Sequence, residues 1–201
     1  MKFACVADTH SYGPPNLEGP FDAWLHAGDI YDGRKKSFHK GWFDIEKLYI
    51  VHGNHDCNDH HGIFKKYSAT GLVTPLAPKL FLVGIGWTGE QYFELPTEEC
   101  LAKCCQEVLR QCMFKMKNGD QSIVLTHYCA LNGAIYCKNP LGWFSSNINS
   151  VIDAIRPLVV IQGHKHSLAG KVWRYNNTIY INPGNKGMCL NIDEKWGITI
   201  S

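Results

Sequence analysis

Six short runs of this chain are apolar at almost every position: Lys2 to Ala7, Ala23 to His26, Lys47 to His52, Leu80 to Ile85, Ser122 to Thr126 and Leu158 to Ile161. Each is too short for a stable helix and rich in β-branched or aromatic residues, so each reads as a strand. A strand with one wet face alternates apolar and polar residues, and most of these do not. They therefore belong to sheets covered on both faces. Between them, Thr97 to Lys117 has helical spacing, opened by Thr97 with Glu98 and Glu99 in the first turn, and Ile148 to Ile155 is a second helix stopped by Pro157. The first part of the chain thus reads as α/β. The last fifth changes character: Lys171 to Asn182 reads as two strands around Asn176-Asn177, and Met188 to Ser201 as two more around Asp193-Glu194-Lys195. These hairpins are expected to close a second sheet. No repeat, low-complexity segment or linker interrupts the chain, so one domain over residues 1–201 is expected.

Composition narrows the function classes. A net charge of +2, with Arg34-Lys35-Lys36 the one short cationic run, supplies no basic stripe for a dedicated nucleic-acid partner. The opening MKFACVAD lacks the apolar length of a signal peptide, and no stretch approaches the ~20 apolar residues of a membrane span. Nine cysteines cannot all pair within one chain and read as reduced thiols of a cytoplasmic setting. Cys100, Cys104, Cys105 and Cys112 share one helix, where Leu101, Cys105, Val108 and Cys112 form an apolar stripe. No second cluster with zinc-site spacing accompanies them, so these thiols read as core residues.

The chemistry sits immediately after the strands. Asp8 and His10 follow the first, Asp29 the second, Asn54 and His55 the third, His127 the fifth, and His164 and His166 the sixth. Ligands of open α/β sheets bind beyond the carboxyl ends of the strands, so a fold that gathers these ends would place eight polar side chains on one rim. Glycine precedes them in AGD, HGNH and QGHKH, where the chain must turn sharply or come close to a bound group. Imidazole, carboxylate and amide donors without thiolate suit manganese, iron, zinc, nickel or cobalt better than calcium. The donors are too many for one ordinary ion. His164 and His166, two apart in an extended segment, would point to the same side.

Taken in order, DTH at Asp8 to His10, GDIYD at Gly28 to Asp32, GNHD at Gly53 to Asp56, THY at Thr126 to Tyr128 and GHKH at Gly163 to His166 closely resemble the motifs of the calcineurin-like metallophosphoesterase superfamily. The resemblance implies a four-layer α/β/β/α sandwich of two mixed β-sheets flanked by helices. It also implies two divalent metal ions, manganese foremost. Asp8, His10, Asp29 and His166 would hold one ion and Asp29, Asn54, His127 and His164 the other, with Asp29 bridging. Hydroxide between the metals would then attack the phosphorus of a small phosphate ester in line, a diester being favoured slightly over a monoester. His55, as an imidazole titrating near neutral pH, would contact the phosphate and protonate or stabilise the leaving oxygen. The tight spacing of His164 and His166 would set the distance between the metals, with Lys165 pointing elsewhere.

Lesser candidates carry plainer readings. His26 and His52 are expected as buried structural groups or as supports to the ligands. Asp32 and Asp56 either orient metal-binding histidines or cap turns. Tyr128, Tyr136, Trp143 and Phe144 lie in a long segment after His127 and either wall the substrate or anchor that segment. His60 and His61 read as surface residues. Two alternative functions are a catalytically silent scaffold of the same fold, which would be expected to have lost ligands that this chain keeps, and a nuclease, for which neither length nor charge provides a phosphate-binding track.

Overall fold

The computed structural model describes residues 1–32, 38–56, 62–87, 98–130 and 144–201. Arg34-Lys35-Lys36, His60, His61, Thr97, Tyr136 and Trp143 fall outside them. In chain order the strands are β1 (Lys2–Val6), β2 (Ala23–His26), β3 (Leu48–Ile50), β4 (Val73–Ala77), β5 (Leu80–Ile85), β6 (Gln121–Thr126), β7 (Cys129–Ala130), β8 (Phe144–Ser145), β9 (Val159–Ile161), β10 (Lys171–Tyr175), β11 (Thr178–Asn182), β12 (Met188–Ile192) and β13 (Ile198–Ile200). The helices are α1 (Ile63–Tyr67), α2 (Glu98–Lys115) and α3 (Ser146–Ile155).

Two mixed sheets carry the fold. The first has the order β13-β12-β1-β2-β3 and the second β10-β11-β9-β6-β5-β4, while β7 and β8 make a small parallel pair. Alternation along each strand explains the unbroken apolar runs. Phe3, Cys5 and Leu25 of the first sheet meet Leu82, Ile123, Leu125 and Ile161 of the second in a core between the sheets. The intervening residues Val83, Val124 and Val160 face outward, beneath Leu101, Cys105, Val108 and Cys112 of α2 and Ile148, Val151 and Ile152 of α3. The cysteine stripe is thus part of that outer layer. On the other side, Val6, Leu48 and Ile50 are covered by Ile63, Phe64 and Tyr67 of α1 and by Trp42 from a 3-10 turn, Lys40–Asp44. The expected sandwich is present with few helices, because large aromatic rings cover the first sheet where a long helix would otherwise be needed.

Two elements differ from the sequence expectation. The C-terminal hairpins do not close one second sheet together. β10-β11 joins the second sheet, where β11 runs parallel to β9, whereas β12-β13 joins the first, where β12 runs antiparallel to β1. Strand β4 was hidden by Pro75. It lies on an edge, where the missing N–H costs no ladder bond, and its register shifts between Pro75 and Ala77. Side chains of α2 cover this edge: Gln111 Oε1 accepts from the Val73 N–H at 3.0 Å, and Lys115 Nζ donates to the Val73 carbonyl at 2.8 Å.

Strands β1, β2 and β3 are parallel to one another, as are β5, β6, β9 and β11, so the candidate residues follow carboxyl ends in both sheets. Backbone bonds then lace the loops together: Asp8 N–H to Gly28 O (3.0 Å), His10 N–H to Asp29 O (3.0 Å) and Gly163 N–H to His127 O (3.1 Å). Asp56, 1% exposed, is the knot. Its Oδ2 accepts from the N–H groups of Asp29 (2.6 Å) and Gly53 (2.8 Å), and its Oδ1 from those of Ile30 (3.0 Å) and Tyr31 (3.1 Å). The role considered for it as an orienter of histidines is replaced by this one: it ties the GDIYD loop to the GNHD loop through the backbone.

Two outcomes are expected. Asp56→Asn sets an NH2 group against backbone donors and should cost about 2–4 kcal/mol in urea unfolding of the metal-free protein. Ile161→Ala, between the sheets, should cost about 2–5 kcal/mol by the same measurement while leaving the rim side chains in place.

Candidate metal centre

The rim is built on unusual backbone. Asp8, His10, Asp29 and His164 have φ of +54°, +44°, +56° and +65°, the left-handed region that side chains normally avoid. Such residues cost on the order of 1–3 kcal/mol each and persist where the surroundings over-determine them. Two glycines make room. Gly28 has φ +85°, and a Cβ there would lie 2.8 Å from His127 Nδ1; a Cβ on Gly53 would fall on the Asp29 carboxylate.

Two clusters of donor atoms result. Asp8, His10 and His166 form one, with His10 Nε2 at 3.2 Å from His166 Nε2 and His166 Nε2 at 3.6 Å from Asp8 Oδ1. Asp29, His127 and His164 form the other, with His127 Nε2 at 3.4 Å from Asp29 Oδ2 and 3.0 Å from His164 Nδ1. Asn54 Oδ1 joins the second cluster at 3.1 Å from His127 Nε2. Asp29 also groups with His10 and His55, so it stands between the two clusters. The structure therefore brings together all eight residues singled out in the sequence.

Protonation shows what the clusters are suited to hold. The His127 Nδ1–H donates to the Ala27 carbonyl at 2.8 Å, which leaves Nε2 with a lone pair directed at the Asn54 oxygen. Lone-pair donors that face one another at this range would suit a cation as their common partner. Burial holds His127 and His10 below the usual imidazole range and pushes His164 down to about 3, which favours neutral rings with lone pairs to offer. Burial, and then the charge of Asp8, raise Asp29 well above the usual carboxylate range. For Asp8 burial acts upward but is outweighed by the hydrogen bond to His166, the charges of His127 and His166 and the His164 N–H, so its carboxyl lies low. His166 differs, its ring raised above the usual imidazole range chiefly by the hydrogen bond to Asp8. Buried carboxylates and imidazoles in two adjoining sets fit a pair of divalent ions.

Three expectations need correction. His164 and His166 are not two apart on an extended segment: His164 is left-handed and His166 begins a 3-10 turn, His166–Leu168, so the two rings reach different clusters. Lys165 does not point elsewhere. With Ser167 it lines the same open cavity, about 450 Å³, as Asp29, Asn54, His55, His164 and His166. His55 does not titrate near neutrality in the metal-free protein; burial, followed by the charges of His10 and His127, pushes it down to about 4. Its ring stands edge-on to His10, and its backbone N–H donates to Asp29 Oδ1 at 2.9 Å.

The surrounding candidates take structural places. His26 is buried between Thr9 Oγ1, at 3.0 Å, and the Trp42 ring, and His52 stacks on Phe64. Tyr128, 3% exposed, packs against the rings of His127 and His164 from within the core. The backbone N–H of Asp32 donates to Ser11 Oγ at 2.9 Å. Sequence reasoning missed Asn182. It is fully buried, and its Nδ2 donates to the carbonyls of Gly163 (3.3 Å) and Lys165 (3.2 Å), fixing the loop that carries both histidines. Its only signal was a polar residue closing the apolar strand TIYIN.

The fold is similar to that of a dimetal phosphatase from Danio rerio, with a TM-score of 0.66 at 12% identity over 96% of this chain and 93% of the other. It is also similar to a phosphopantetheinyl hydrolase from Mycobacterium tuberculosis (TM-score 0.55, 10% identity, 91% and 88% coverage). A sulfate thiohydrolase from Thermus thermophilus aligns with a TM-score of 0.59 at 12% identity, over all of this chain and 55% of that one. No curated protein sequence matches significantly. Residues 1–199 match the calcineurin-like phosphoesterase superfamily domain, and the chain belongs to that metal-dependent superfamily.

Proposed function

We propose that this chain is a two-metal phosphoesterase whose substrate is a phosphodiester. The observation that carries this reading is the convergence of imidazoles and carboxylates on two adjoining clusters that share Asp29. In it Asp8, His10, Asp29 and His166 hold one ion and Asp29, Asn54, His127 and His164 the other. The mixed nitrogen and oxygen donors suit manganese, with iron, zinc, nickel and cobalt as alternatives. When bound, the two ions supply Lewis acidity toward phosphate oxygens and a water of lowered pKa as nucleophile.

The remaining work falls to the chain's own side chains. Asp29, fixed through its backbone by Asp56 and through Oδ1 by the His55 N–H, keeps the two clusters in register. Asn54 and the histidines add donors without cancelling positive charge, so the rim retains a field that draws in a phosphate. His55 borders the cavity as a neutral ring, able to give a hydrogen bond to the ester oxygen that departs. That service matters most for an alkoxide leaving group, whichever class of ester supplies it. The cavity is open and has room for substituents on both sides of a phosphorus. The odd number of cysteines supports a reducing, cytoplasmic setting, and no described helix is long and apolar enough to cross a membrane.

The test is metal reconstitution followed by elemental analysis and assay on a diester and its matched monoester. Two equivalents of manganese should bind and raise Tm, by an amount equivalent to about 2.7 kcal/mol per site at a hundredfold excess over Kd. Asp29→Ala should lose both the second equivalent and the turnover. A wild-type protein that binds no metal and turns over neither ester would overturn the reading. His55→Ala should lower kcat about 10²–10⁴-fold on a dialkyl ester and far less on a p-nitrophenyl ester, whose leaving group needs little help.

A further inference from the structure

Lys165 stands between two histidines of the metal centre, and its surroundings differ from those of an ordinary surface lysine. It is half-buried and lines the cavity that holds Asp29, Asn54, His55, His164 and His166. Its main chain is held on both sides. The N–H donates to the Gly163 carbonyl at 2.7 Å, while the carbonyl accepts from the Leu168 N–H at 2.8 Å and from the amide of buried Asn182 at 3.2 Å. The root of the side chain is therefore fixed at the cavity wall, and a four-carbon stem is long enough to bring a compact ammonium to a bound substrate. Among the described residues Lys165 makes no ion pair, whereas the exposed Lys103 is matched to Glu99 at 2.8 Å. Ser167 lies on the same wall with its hydroxyl exposed.

Charge decides what this cation is for. Two divalent ions with the carboxylates of Asp8 and Asp29 and the attacking hydroxide would leave about one positive charge at the rim. A simple phosphodiester carries one negative charge and already matches that field. An additional lysine in the same cavity would be excessive for such a substrate and is matched by a substrate with a further anionic group.

We propose that Lys165, assisted by the Ser167 hydroxyl, forms a subsite for a second phosphate on the substrate, one that is not itself attacked. This rests on the phosphoesterase reading above and narrows it, assigning the preferred substrate to phosphate esters that carry an additional phosphate. Lys165 determines specificity here and takes no part in the bond cleaved.

The experiment uses the manganese-loaded protein with two chromogenic esters that differ by one group: thymidine 5′-(p-nitrophenyl phosphate) with and without a 3′-phosphate. Wild type should prefer the 3′-phosphorylated ester by about tenfold in kcat/KM, carried by KM, as a single charge-assisted contact allows. In Lys165→Met the ratio should fall to near one, Lys165→Arg should keep most of it, and the distant Lys195→Met should change nothing. Calorimetric binding of thymidine 3′,5′-bisphosphate and thymidine 5′-monophosphate gives the second readout, with metal content measured in each variant. A wild type without preference, or a Lys165→Met protein that keeps the preference in both turnover and binding, overturns the subsite. Absence of turnover on either ester by wild type with both metals bound would count against the phosphoesterase reading alone. The binding comparison would then still decide for or against Lys165.

Discussion

One buried carboxylate collects the N–H groups of Asp29, Ile30, Tyr31 and Gly53, and the working surface of the molecule hangs from that junction. Burying Asp56 is costly: burial, with the charge of Asp29 next, raises its carboxyl to about 7, while the four donors pull the other way. The cost is tolerated because no cheaper group accepts from four backbone donors at once. A water could accept from two of them but would leave the GDIYD and GNHD loops free to shift relative to each other. Asp29 must reach both donor clusters from a left-handed backbone, and a displacement of its loop would separate the clusters. Rigidity at Asp56 is therefore the precondition for the shared position of Asp29.

The same logic runs through the rest of the rim. Asn182 restrains the GHKH loop from below, as Asp56 restrains the other two, and Gly28 and Gly53 let His127 and Asp29 come close enough to matter. None of these groups is a donor of the clusters. They hold in place strained residues that would otherwise relax into ordinary turns, which is how a site built on loops acquires the precision of one built on strands.

Much of this was legible in the residues. The all-apolar runs announced sheets covered on both faces, and the acids, amide and imidazoles following them announced the rim, because strand period and Gly-terminated turns are local properties. What stayed hidden is non-local. Whether the β12-β13 hairpin pairs with β1 or with β11 depends on which edge offers partners, and no pattern within Met188 to Ser201 states it. Strand β4 was obscured because Pro75 is forbidden in a central strand yet harmless on an edge. Lys165 was misread because a strand-like alternation was carried four residues past the end of β9, beyond His164, which has already left extended geometry. The lowered titration of His55 reflects burial and neighbouring rings brought in from remote positions, information that a short motif does not contain.

The pairing of β1 with β12 has a consequence for how the chain is made. Lys2 lies opposite Asn191 and Cys5 opposite Met188, so the second residue of the sequence waits for one nearly 190 positions later. At about 5–20 residues per second, a ribosome takes on the order of 10–40 s to supply that partner. During this interval β1 has only β2 beside it in the first sheet, and its other edge is an open row of backbone donors and acceptors. Closing such a loop is entropically expensive and slow, so the order of synthesis leaves the strand that delivers Asp8 and His10 among the last to be secured. A nascent chain of this topology has a built-in need for shielding before its metal-facing residues can assemble.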